Sequence, residues 1–148
     1  MKSIAILLAG LLWSGHALAQ SAAENCPELP ADTDLSWDVV NGPDFLFCKA
    51  ISAADGSQAF SVMLGRDVAF RRDRSLREED ATIDGHKVRW YRGEVVTRRD
   101  VLVRETVVEL GRRSNAHIVV RADSEDLLAA NRMLAERMRF RDTAMGGD

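Results

Sequence analysis

The apolar positions of this chain change their period along its length, and each change marks an element. Ile4 to Trp13 form a ten-residue apolar run behind Lys2, followed by the small-x-small triplet Ala17-Leu18-Ala19. A positive start, a short apolar core and that triplet predict a secretory signal peptide over residues 1–19. Ser14, Gly15 and His16 interrupt the run before it reaches the roughly 20 apolar residues of a membrane-spanning helix. Residues 20–34, with Glu24, Glu28, Asp32, Asp34 and two prolines, read as an extended acidic leader.

From Leu35 the period is two. Leu35, Trp37 and Val39 alternate with Ser36 and Asp38, as a half-buried strand requires, and Asn41-Gly42-Pro43-Asp44 ends the strand in a turn. Phe45–Ile51 and Gln58–Leu64 follow as an antiparallel pair across Asp55-Gly56, where glycine tolerates positive φ. Arg66–Asp80 crowds eight charged residues between Arg71 and Asp80 around Phe70 and Leu76, and reads as an exposed loop or short surface helix. Ala81–Ile83 and Lys87–Thr97 are predicted to pair through the tight turn Asp84-Gly85, with a bulge at Gly93 where the alternation loses phase. Val101–Leu110 and Asn115–Arg121 are two further strands around Gly111–Ser114.

The last segment changes period again. Leu127, Ala130, Leu134 and Met138 recur at i, i+3, i+7 and i+11, which predicts a helix with this stripe turned inward. Asp123 or Ser124 is the N-cap, and Glu125 and Asp126 suit the positive end of the helix dipole. The predicted fold class is therefore α+β: a twisted antiparallel β-sheet with a C-terminal α-helix packed on one face, in a single domain over residues 35–141. Residues 142–148 read as a tail.

The chain has only two cysteines, Cys26 and Cys48. In an exported protein an even pair without C-x-x-C spacing predicts a structural disulfide, here stapling the leader to the sheet. The expected location is periplasmic or secreted.

The strands Val101–Leu110 and Asn115–Arg121, their polar turn and the helix ending Ala135-Glu136-Arg137-Met138-Arg139-Phe140 resemble the closing pattern of Mog1/PsbP-like domains over about residues 59–140. That resemblance implies a compact sheet-and-helix binding or accessory module. It transfers no catalytic residue.

Charge is unevenly distributed. Residues 20–64 carry one basic and seven acidic side chains, residues 65–121 fourteen and ten, and residues 122–148 four and six. The mild acidity of the whole argues against nucleic-acid binding, which draws its affinity from a strong basic excess. The middle third is arginine-rich, and Arg71, Arg72, Arg98, Arg99, Arg112 and Arg113 fall in predicted loops. Guanidinium groups there are candidates for bidentate contacts to carboxylates or phosphates of an acidic envelope component or exported protein. The competing reading is a solvated face in which Glu78, Glu79, Asp80 and Asp100 balance these arginines.

No motif identifies a reaction. G-x-S-x-G, H-E-x-x-H, P-loop and dinucleotide fingerprints are missing, so no metal or other cofactor is expected and no catalytic residue is assigned. His86 and His117 read as structural histidines. Glu105 and Glu109, four apart in one strand, share a face but do not pair. Trp90 and Tyr91 must point to opposite faces, one into the core and the other toward a contact surface. The pattern as a whole points to an exported non-enzymatic module that binds a protein or anionic envelope component. The alternative is a small exported hydrolase with a dispersed site that uses one of the histidines.

Overall fold

The computed structural model describes residues 23–93 and 100–141. The predicted signal peptide and tail lie outside the described residues, as do Val95, Val96, Arg98 and Arg99. Seven strands form one antiparallel sheet: β1 (Leu35–Asn41), β2 (Phe45–Ser52), β3 (Gln58–Gly65), β4 (Arg77–Ile83), β5 (His86–Arg92), β6 (Leu102–Gly111) and β7 (Ser114–Ala122). A helix, α1 (Glu125–Glu136), follows them. The α+β class is thus observed, with sheet predominating.

The spatial order is β1-β2-β3-β7-β6-β5-β4. Two chain-local meanders, β1 to β3 and β4 to β7, therefore meet only along β3 and β7, which pair from Phe60↔Val120 to Gly65↔Asn115. Residues 66–76 must carry the chain from β3 in mid-sheet to β4 at the far edge, a lateral distance of about 19 Å at normal strand spacing. They include a single 3₁₀ turn, Arg74–Leu76, which Asp73 caps by accepting from the Ser75 amide at 2.8 Å.

Side chains alternate across the sheet, and the register sorts them cleanly. The inner face carries Cys48, Ala50, Phe60, Val62, Ile118, Val120, Val108, Trp90 and Ile83, all buried, with Trp37, Val39, Leu46 and Leu64 half-buried beside them. Leu128, Ala135 and Met138 belong to the same apolar cluster, and α1 contacts β7, β3, β6 and β4. Cys26 is disulfide-bonded to Cys48, both wholly buried, and Leu29 packs on the core next to them. The leader is fastened further by the bridge Glu28↔Arg139 and by an Arg137–Asp32 ion pair. Among the described residues no helix is long and apolar enough to cross a membrane.

The hairpin turns follow their sequence signals. Asp84 and Gly85 sit at φ 47° and 80°, the left-handed pair that a two-residue turn between twisted strands requires. Gly56, at φ 71°, closes the β2–β3 turn.

Two sequence expectations need correction. The charged stretch before Ala81 is not all loop: β4 begins at Arg77, with an irregular register between Arg77 and Asp80 that accommodates Glu78 and Glu79. The part of the expected Lys87–Thr97 strand that follows Gly93, and with it the bulge, lies outside the described residues; β5 is described to Arg92, and the Gly93 amide donates to the Val103 carbonyl at 3.2 Å. A Cβ on Gly93 would lie 2.6 Å from Val103 Cγ1, so glycine permits the close approach. Of the expected helix stripe, Leu134 and Met138 do pack in the core, but Leu127 is 45% exposed and Ala130 is also exposed, and Leu128, Asn131 and Ala135 are buried instead. Ser124, whose Oγ accepts from the Leu127 amide at 3.3 Å, is the N-cap and sets that phase.

Candidate functional site

The outer face of the sheet is where the polar positions of the strands collect. One row of paired residues crosses it from Asp38 through Lys49, Ser61, Val119, Glu105 and Tyr91 to Arg77, spanning all seven strands. The neighbouring row runs Val40, Phe47, Met63, His117 and Val107. Val40 and Phe45, at 47% and 42% exposure, mark the apolar side near β1. Charge gathers on the other side, toward β4.

Residues 66–73 pass over the middle of this face. Phe70 stacks edge-on against Tyr91 at 5.3 Å between ring centroids and tilts against His117 at 5.4 Å. Two polar bonds hold the segment down: Arg72 NH2 to Glu109 Oε1 at 2.7 Å, and Asn115 Nδ2 to the Arg66 carbonyl at 2.8 Å. Trp90 and Tyr91 do point to opposite faces, but neither is exposed. Trp90 is fully buried on the inner face, donating Nε1–H to Glu136 at 2.8 Å, and Tyr91 is only 7% exposed because Phe70 covers it. The expected exposed aromatic contact is therefore absent at Tyr91.

His117 Nε2 lies 2.9 Å from Glu105 Oε2, and its side chain is 11% exposed. Glu109, on the same face as Glu105, turns instead to Arg72. His86 stacks on Phe140 at 6.3 Å. Among the described residues, the histidine that meets a carboxylate is thus lidded by Phe70.

The arginines of the sequence reading separate by position. Arg71 and Arg72 lie on the crossing segment and Arg112 and Arg113 on the β6–β7 hairpin tip, all exposed. The Arg72–Glu109 and Asn115–Arg66 bonds bring these two turns together at one end of the sheet, where Arg66 and Arg74 are exposed as well. Arg98 and Arg99 precede β6 in the chain and lie outside the described residues, so the structure does not place them.

A groove that the sequence reading missed lies beside the crossing segment. It has a volume of about 390 Å³ and is lined by Phe70, Arg72, Arg77, Asp80, Lys87, Val88, Arg89, Tyr91, Thr106 and Val107. Arg89 grips Asp80 with both nitrogens, Nε to Oδ1 at 2.5 Å and NH2 to Oδ2 at 2.7 Å. That bidentate bond holds the Asp80 carboxyl below its ordinary range and raises Arg89 in turn. The missed signal was period-two placement: Lys87, Arg89 and Tyr91 sit at i, i+2 and i+4, on one face of β5. Among the described residues no group of three or more histidine, cysteine or acidic side chains could hold a metal ion.

In comparison with known proteins, no family model, no curated protein and no solved structure matches the chain. Fold and site define a class only: an α+β domain with one disulfide, whose outer sheet face and arginine-bearing end are its most distinctive surface.

Proposed function

We propose that the chain is an exported, non-enzymatic binding module, and that it meets an acidic protein or anionic envelope component through Arg71, Arg72, Arg112 and Arg113. In this reading α1 and the leader cover the inner face, and recognition is left to the sheet end. The observation that supports it is the tie between the crossing segment and the β6–β7 tip, which gathers guanidinium groups from turns 40 residues apart in sequence. Among the described residues Arg112 and Arg113 have no ion-pair partner, so a partner's carboxylates or phosphates need not displace an internal one. The arginine fork, unlike a lysine, fixes orientation as well as charge. The Mog1/PsbP-like pattern of residues 59–140 points the same way, toward a partner-contacting domain.

The test is a crosslinking pull-down from envelope extract with the purified protein and an Arg71/Arg72/Arg112/Arg113→Ala variant. A stoichiometric partner held by the first and lost by the second is expected. Equal retention by the variant, or no specific partner for either, refutes the reading. An Arg98→Ala/Arg99→Ala variant run alongside asks whether those two residues share the surface.

A further inference from the structure

The groove beside Phe70 has a charge balance that its own residues do not close. Of its four cations, Arg89 is held by Asp80, and Arg72 by Glu109. Arg77 and Lys87 have no carboxylate within ion-pair distance among the described residues, and Asp80, the only acid in the wall, already has both oxygens on Arg89. The groove is thus left with two cations that make no direct ion pair among the described residues, although Arg77 also acts on Asp80 through space.

Their placement is specific. Arg77 pairs across the ladder with Tyr91, and Lys87 with Thr82, so their stems stand at opposite ends of the outer face of β5, about 13 Å apart along the strand. Between them lie the Arg89–Asp80 pair and an apolar wall of Phe70, Tyr91 and Val107. A volume of about 390 Å³ falls at the lower end of the range for small-ligand sites. A lone inorganic ion would satisfy one cation and leave the aromatic wall unused.

We propose that this groove is a binding site for a small organic dianion: an apolar body with acidic groups placed to reach both Arg77 and Lys87. The guanidinium takes one group bidentately, the ammonium takes the other as a point charge, and the body rests on Phe70, which covers Tyr91. Two carboxylates on one ring are the simplest ligand of this kind. The proposal goes beyond the acidic-partner reading and uses different residues.

The experiment titrates the purified protein with isophthalate and with the single-headed benzoate, phenyl phosphate and inorganic phosphate, followed by calorimetry and by the backbone amide shifts of Lys87 to Tyr91. Isophthalate should bind at one equivalent, at least about tenfold more tightly than any of the three single-headed anions. Arg77→Gln and Lys87→Gln should each weaken that binding by about tenfold or more, the loss expected for one charge-assisted contact. Arg112→Ala/Arg113→Ala should leave it unchanged, which separates this site from the partner surface. Isophthalate binding no better than benzoate or phenyl phosphate, or binding indifferent to both glutamine variants, overturns the proposal.

Discussion

The two halves of the sheet are held together by different physics. On the β1–β2–β3 side the interior is apolar and covalently closed: Cys26–Cys48 lies at its centre, Trp37 and Phe60 meet edge-on at 5.8 Å, and Trp37 Nε1 donates to the uncharged Pro27 carbonyl. On the β4–β5–β6 side charged groups enter the structure itself. Arg104, only 9% exposed, points to the inner face and reaches Glu79 at 3.2 Å and Glu78 at 3.6 Å. Trp90 donates to Glu136, which Arg132 also bonds at 3.1 Å. One half resists through chain connectivity and burial, the other through paired charge. Reductant should therefore act on the first, and acid on the second.

The edges repeat the contrast. β1 pairs with β2 in unbroken register, whereas β4 breaks register where Glu78 and Glu79 fold in toward Arg104. Charges and irregularity of this kind blunt an exposed edge against further pairing.

The sharpest way to break the covalent half is Cys26→Ala/Cys48→Ala. Opening a loop of this length should cost about 3 kcal/mol, read as a lower denaturant midpoint at nearly unchanged fold. In the ionic half, Arg104→Ala should cost about 2 kcal/mol. That lies below the loss typical of a fully buried pair, because Glu78 and Glu79 keep partial contact with water. Adding Glu78→Gln and Glu79→Gln should recover part of the loss, and failure to recover any would mean that Arg104 acts by packing alone.

One substitution made in both halves sharpens the comparison. Trp90→Phe should lose about 2 kcal/mol in hydrogen bonding because its acceptor is charged, and Trp37→Phe about 1 kcal/mol because its acceptor is neutral. Equal losses in chemical denaturation would erase the proposed difference. The smallest effect is that of acid. Burial alone would raise Glu79, but a hydrogen bond with its own backbone and the Arg104 guanidinium outweigh it and hold the carboxyl below its ordinary value. Its stabilising contribution is therefore complete above the unfolded glutamate value of about 4.3 and fades as the pH falls through the lower folded value. Melts on the acid side of about pH 4.3 should lose less stability in Glu79→Gln than in the unaltered protein.

The sequence made the covalent half legible and the ionic half only partly so. Period-two alternation in Leu35, Trp37 and Val39, the Asp55-Gly56 turn and an even cysteine pair are local signals, and the structure follows them. The start of β4 is hidden because Glu78, Glu79 and Asp80 are poor strand residues by composition, and their partners, Arg104 for the two glutamates and Arg89 for Asp80, lie on other strands. The helix and the inward placement of Leu134 and Met138 toward its end are legible; earlier in the helix the exposed Leu127 and the buried polar Asn131 run against apolar periodicity. At the candidate site, the arginines of the 66–76 segment and of the β6–β7 tip were legible as loop residues. That the two turns meet depends on contacts of Arg72 with Glu109 and of Asn115 with Arg66, which no periodicity encodes. Nor could alternation alone show that Phe70 would cover Tyr91 and leave Lys87, Arg89 and Arg77 to line a groove.

The strand order also has a consequence in time. Every ladder but one joins neighbours in sequence; β3 must wait for β7, whose first paired residue, Asn115, lies 50 positions after Gly65. Each meander can form early by local contacts, but the join carries the loop-closure entropy and is expected to limit the folding rate. Before it forms, β3 and β7 each present an unpaired apolar border, so this interval is when the chain is most exposed to mispairing. Pulse-labelled hydrogen exchange should find the β1–β2 and β6–β7 amides protected before those shared by β3 and β7, and simultaneous protection would show that the sheet closes in one step.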